Sequence, residues 1–165
     1  MIKVRDIAHV RIRVPDLDRM ETYLTDFGLV RADRSDAALY MRGTDPNHHC
    51  HITEQGEVGM LGLAFFADSA DDLREIATSP DASPVESVKE PGGGSRVVLT
   101  DPNGFKVEIV HGWEPVKALP ARKSEWNFGE QRQRQGILRL QPGPSRVKRL
   151  GHVVIEVPDV TGTAK

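Results

Sequence analysis

The chain has 165 residues, 38% hydrophobic and 28% charged, the balance of one globular domain with or without a fragment of a second. No apolar run approaches the ~18–20 residues that span a bilayer, and the N-terminal MIKVRDIAHV lacks a signal-peptide pattern, so no membrane association is expected. A single cysteine, Cys50, excludes an intramolecular disulfide framework and any multi-cysteine zinc site, and makes a reduced, cytoplasmic compartment the expectation.

Residues 7–14 alternate apolar and variable side chains and read as a strand. Asp16 is a good N-cap, and Leu17, Met20, Leu24 and Phe27 recur at helical spacing until Gly28 supplies a stop. Strands follow at 29–34, 38–42 and 49–54, with Asp45-Pro46-Asn47 as a turn. The order then restarts. Gly62–Ala67 reads as a strand, and Ser69 with Asp72 resembles a capping box for a helix through Ile76. Strands near 85–89, 95–100 and 105–110 complete the second set, joined by turns at Pro91–Gly94 and Asp101–Gly104. Pro91–Gly94 is a turn and not a phosphate loop, because no Lys-Ser/Thr and no helix follow it.

The fold class expected is α+β: two βαβββ units forming one curved, mostly antiparallel eight-stranded sheet with two helices outside. Leu17, Leu24, Phe27, Leu73 and Ile76 should be buried beneath those helices. From residue 112 the chain turns rich in Pro, Gly and Gln, with Trp113, Trp126 and Phe128 as points that pin it to a surface. Charge divides along the same line, with 12 basic against 20 acidic side chains in residues 1–115 and 9 against 2 in residues 116–150. A basic stretch can bind nucleic acid, but Arg132, Arg134, Arg139, Arg146, Lys148 and Arg149 are scattered, with few aromatics to stack bases. It reads as a solvated linker lying against an acidic domain, with no nucleic-acid partner.

An internal repeat closes the chain. Ala8-His-Val-Arg-Ile-Arg-Val-Pro-Asp-Leu17 and Gly151-His-Val-Val-Ile-Glu-Val-Pro-Asp-Val160 share six of ten residues. Residues 1–115 are therefore expected to be one module, 116–148 a linker, and 149–165 the opening strand of a second, truncated module. Residues 149–157 should lack ladder partners of their own module and stand as an exposed or opportunistically paired edge.

Particular residues carry a family resemblance. His9 lies on a strand ending Val14-Pro15-Asp16, the helix from Leu17 runs into Tyr23-Leu-Thr-Asp-Phe-Gly-Leu29, and Leu99-Thr-Asp-Pro-Asn-Gly104 precedes Phe105-Lys-Val-Glu-Ile-Val110. Over residues 5–111 and again 149–160 the chain resembles the vicinal oxygen chelate superfamily, which includes glyoxalase I, fosfomycin- and bleomycin-resistance proteins and extradiol dioxygenases. Its two-module layout is most like the N-terminal module of a type I extradiol dioxygenase, an oxidoreductase of aromatic catabolism. That resemblance implies a scaffold first module and a metal centre of two histidines and a glutamate in the second. His152 matches the first ligand, and the others would lie beyond Lys165. A 2-His-1-carboxylate centre leaves positions on Fe(II) for a catecholate and O₂. The implied partners are a small aromatic diol and O₂, the cofactor Fe(II) with Mn(II) or Zn(II) as alternatives, and the assembly a homo-oligomer.

In the first module, the resemblance takes ligands from the first, fourth, fifth and eighth strands, where His9, His51, Leu63 and Glu108 stand. His49 and His51 share one face by strand alternation, and Leu63 removes one ligand. Bland readings compete: His9 as a core histidine, Glu108 on a polar face, His48–His51 as a solvated strand start, and Cys50 as packing and not a nucleophile. His9 and Glu108 are expected to face one hollow without a tight three-ligand site. Three functions remain in view: the N-terminal part of a metal-dependent dioxygenase opening a catechol-type ring, a dimerising single-module metalloenzyme like glyoxalase or fosfomycin-resistance proteins, and a metal-free binding module like bleomycin-resistance proteins.

Overall fold

A computed structural model describes residues 3–121, 130 and 143–163. The elements run β1 (Val4–Val14), α1 (Leu17–Phe27), β2 (Val30–Arg34), β3 (Ala38–Arg42), β4 (His51–Gln55), β5 (Gly59–Ala67), α2 (Ala70–Ile76), β6 (Glu86–Ser87), β7 (Ser95–Thr100), β8 (Lys106–His111) and α3 (Val160–Thr163). Local chemistry accounts for the boundaries. The Asp16 carboxylate accepts the Arg19 N–H at 2.9 Å, and Ser69 Oγ accepts the Asp72 N–H at 3.0 Å. The Asp101 carboxylate accepts from Asn103 N and Phe105 N, closing the β7–β8 turn.

All eight strands form one open, mixed sheet in the order β2-β3-β4-β1-β5-β8-β7-β6. Each βαβββ unit contains one parallel pair, β1 with β4 and β5 with β8. The remaining pairs are antiparallel, including β1 with β5, which joins the units. Val10, Leu63 and Val107 are cross-strand neighbours on the face that carries both helices. Beneath α1 the core is Leu17, Leu24, Leu29, Leu39, Met41 and Cys50, and beneath α2 it is Ala67, Leu73, Ile76, Val97 and Ile109.

Phe27 departs from the expected core: it is 58% exposed, beside the equally exposed Tyr23 with ring centroids 6.2 Å apart. The helix ending explains this. Gly28 takes φ 111°, its N–H bonds to Thr25 O, and the Leu29 N–H bonds back to Leu24 O at 2.9 Å. That closure turns Leu29 inward against Leu24, so Leu29 fills the space that helical spacing alone assigned to Phe27.

Residues 112–121 lie along the β3–β4 loop, with Val116 N bonded to Pro46 O and Leu119 N to Thr44 O, both at 2.9 Å. Trp126, Phe128, Arg132, Arg134 and Arg139, singled out in the sequence, lie outside the described residues. Residues 145–150 form a strap across the end of α1. Val147 and Leu150 pack on the α1 core, Thr44 N and Asp45 N donate to Val147 O and Lys148 O, and Arg149 pairs with Asp6. Residues 151–157 carry no ladder, and Val154 is 85% exposed. The one-turn α3 was not anticipated; Asp159 Oδ1 accepts the Gly162 N–H there. Leu24→Ala should cost about 2–5 kcal/mol of unfolding free energy as a cavity in the core. Phe27→Ala should stay within about 1 kcal/mol, as surface changes do, and urea denaturation of the two variants checks the difference.

Candidate functional site

On the face opposite the helices, Ala64 is the cross-strand neighbour of both His9 on β1 and Glu108 on β8. Leu63, expected at that position, points instead to the helix side and is buried between Val10 and Val107. The fifth strand still offers no ligand, but the residue responsible is Ala64. His9 and Glu108 do share the hollow, with His9 Nε2 3.8 Å from Glu108 Oε2.

Charge fills one end of this face. The Arg11 side chain fans out to three carboxylates, Nε to Glu108 at 3.0 Å, Nη1 to Glu54 at 2.9 Å and Nη2 to Glu90 at 2.7 Å. Arg96 Nη1 holds the second Glu108 oxygen at 3.2 Å, and its Nε holds Glu86 at 2.6 Å. Arg11 is only 8% exposed. Burial opposes its charge, but the hydrogen bond to Glu90 and the charges of Glu108 and Glu90 outweigh that and raise its pKa. A cavity of about 470 Å³ opens on this network.

Aromatic rings fill the other end. Gly112, at φ 78°, lets the chain fold Trp113 back onto the sheet, where the indole stacks on His9 with centroids 5.5 Å apart and planes at 4°. His49 packs against Trp113 at 4.2 Å and against His9 at 5.4 Å, with Tyr40 and Phe66 around them. His9 and His49 are each 1% exposed. Among the described residues, both His9 ring nitrogens, His49 Nε2 and Trp113 Nε1 have no hydrogen-bond partner. Burial first, then His49, Arg11 and Arg96, holds His9 well below the usual histidine pKa. Burial first, then His48 and Arg11, pushes His49 down to about 3. His9 is therefore a neutral ring, and its contact with Glu108 is not an ion pair.

His51 stands apart from this group. It is the cross-strand neighbour of Val10 and Met41, on the α1 side of the sheet, in a crevice of about 350 Å³ shared with Leu24, Phe27 and His152. Strand alternation does not carry from His51 to His49 because β4 begins only at His51. His49, not His51, is the histidine beside His9. Cys50 is buried, and burial pushes its thiol up, as a packing role requires. His152 is exposed, two residues beyond the strap.

These residues do not fit a metal. Both Glu108 oxygens are engaged by guanidinium groups, Ala64 supplies no donor, Trp113 covers His9, and two buried or half-buried arginines oppose a second cation. Among the described residues, no three His, Cys, Asp or Glu side chains are grouped to hold one. Sequence reasoning missed Arg11, Glu54, Glu90 and Arg96. One signal was present: Arg11 recurs two residues after His9, on the same side of the strand, where the repeat has Val154.

The glyoxalase/bleomycin resistance protein/dioxygenase superfamily model matches residues 6–109. The chain belongs to this superfamily. Metapyrocatechase 2 of Cupriavidus necator is 31% identical over 161 residues, which are 95% of this chain and 49% of that protein. The chain thus spans about half the length of the curated relative it matches. The Mn(II)-bound glyoxalase of Novosphingobium aromaticivorans superposes with a TM-score of 0.67 at 21% identity, over 74% of this chain and 44% of that one. Homoprotocatechuate 2,3-dioxygenase of Brevibacterium fuscum gives 0.63 at 20%, over 72% and 40%. These likenesses establish the fold of this superfamily member. No helix among the described residues is long and apolar enough to cross a membrane.

Two consequences of the site can be measured. An unfolded chain protonates its histidines as pH falls through about 6.5, whereas the folded chain holds His9, His49 and His51 neutral to much lower pH. Stability from them is complete above about pH 7 and declines with acidification, by up to about 1.4 kcal/mol per pH unit for each. Denaturant titrations from neutral to acid pH should show this slope, reduced in His49→Phe. Arg11→Met should lower unfolding free energy by about 3–5 kcal/mol, because the buried Glu108 loses one of its two guanidinium partners and Glu54 and Glu90 lose their bonds to Arg11, and urea melts would register it.

Proposed function

We propose that this chain is the first, scaffold module of an extradiol ring-cleavage dioxygenase, with the opening strand of the metal-bearing module at its C-terminal end. The observation that carries the reading is the occupied face of the first module, where Arg11 and Arg96 engage Glu108 and Trp113 covers His9. The repeated sequence segment with His152, and the 95% coverage by half of Metapyrocatechase 2, support it. A ferrous 2-His-1-carboxylate centre, when bound, supplies neighbouring open positions for a catecholate and O₂. His152 would be its first ligand, and no chemical step falls to the first module. Its residues instead hold a rigid sheet behind the strap that leads to His152. The substrate class is a catechol-type diol, the metal Fe(II) with Mn(II) or Zn(II) as alternatives, and the assembly a homo-oligomer. A single-module metalloenzyme using His9, His51 and Glu108 is disfavoured, since His51 faces away from the other two.

The test is the polypeptide expressed with any continuation its reading frame encodes. His152→Ala should lose bound iron and O₂ uptake with catechol, while His9→Ala should keep the wild-type iron content. Iron lost from His9→Ala and retained in His152→Ala would reverse the assignment.

A further inference from the structure

At the charged end of the hollow the acceptors are used up and the donors are not. All six oxygens of Glu54, Glu90 and Glu108 are bonded to guanidinium nitrogens, each carboxylate divided between Arg11 and a second arginine. For Glu54 the second partner is Arg13, at 3.3 Å; for Glu90 and Glu108 it is Arg96 Nη1, at 3.4 and 3.2 Å. Among the described residues, Nε and Nη1 of Arg13 and Nη2 of Arg96 meet no acceptor. Lys106 Nζ gives one of its three protons, to Thr100 Oγ1 at 2.8 Å.

These groups border one cavity of about 470 Å³, where Arg11, Arg13, Arg96 and Lys106 stand against the three carboxylates. Glu86, which takes Arg96 Nε, is not among the residues that line it. Half-buried Met60, Leu61 and Val98 give the same cavity an apolar wall. Surplus N–H donors converging beside an apolar wall suit a small organic anion, and guanidinium forks match a carboxylate in particular. Inorganic phosphate would use the donors but not the wall, and a neutral ring the wall but not the donors.

We propose that this end of the first module binds a small organic carboxylate, with its oxygens on Arg13, Arg96 and Lys106 and its apolar body on Met60, Leu61 and Val98. Arg11 stays with Glu54, Glu90 and Glu108 and neutralises the charges that would otherwise repel the ligand. The site is separate from the metal centre assigned to His152, and neither reading depends on the other.

Benzoate is the probe, with benzamide as its neutral counterpart and inorganic phosphate as the anion without an apolar body. Each is titrated into the whole chain by calorimetry at low salt, where charge is least screened. Benzoate should bind one molecule per chain, at least about tenfold tighter than either counterpart. Arg13→Met and Lys106→Met, both at the rim, should each weaken benzoate by about tenfold. His152→Ala should bind it as wild type does. Circular dichroism checks that each variant is folded, and if Arg13→Met is not, Lys106→Met decides alone. The proposal is overturned by the absence of saturable benzoate binding up to about 10 mM. Equal affinity for benzamide or phosphate, undiminished affinity in folded Lys106→Met, or binding lost in His152→Ala overturns it as well.

Discussion

Arg11 reaches three carboxylates from a strand at the seam between the two βαβββ units, and the rest of that face is arranged around compensating its charge. Arg11 and Glu54 belong to the first unit, and Glu90, Arg96 and Glu108 to the second. The seam itself is irregular: the β1–β5 ladder shifts register at three places, between Val4 and Asp6, Ile7 and His9, and Arg11 and Ile12. Backbone pairing alone therefore specifies this joint less firmly than a regular ladder would. A buried guanidinium whose three nitrogens each need a carboxylate leaves few alternative arrangements. Such a network adds little net stability over an apolar core, because desolvation offsets the attraction, but losing any one member is costly. Its contribution here is to fix how the halves meet.

The same charge decides what the hollow can do. A sheet with helices on one face leaves the other face to be used or filled. Here both ends are filled, one by ions and one by rings. Trp113 reaches its place because the chain reverses at Gly112, and it covers the imidazole that would otherwise be the most accessible ligand on β1. Among the described residues, four ring nitrogens are buried there without partners, an expensive arrangement. Aromatic contact area among His9, His49, Tyr40, Phe66 and Trp113 is what the fold gains in return.

Most of the architecture was legible in the sequence because it rests on local signals. Asp16 and Ser69 cap the helices, Gly28 ends the first, and alternation marks the strands, so both units and their pairing follow from pattern. Phe27 was misplaced because helical spacing takes no account of a chain that turns back at Gly28 and brings Leu29 inward. The site was legible only in part. His9 and Glu108 meet because both are cross-strand neighbours of Ala64, on strands that the sequence already marked. His49 and His51 do not share a face because the first precedes the strand, and Leu63 and Ala64 exchange roles because register within β5 is set by long-range pairing. The Arg11 network depends on residues up to 97 apart in sequence, beyond any local pattern.

The strap over α1 joins the two ends of the chain in another sense. Gly43 is so close to it that a β-carbon there would lie 2.1 Å from Lys148 O, and one on Gly28 would lie 2.7 Å from the Ser145 backbone. The strap thus needs a finished β3 and a finished α1 end before it can seat. Contacts of such long sequence separation form late, after the loop they close has lost its freedom. Widening Gly43 would accordingly leave the folding rate nearly unchanged and speed unfolding, the behaviour of interactions absent from the transition state. The module can complete its sheet first, and only then is the segment leading to His152 anchored at a fixed point on its surface.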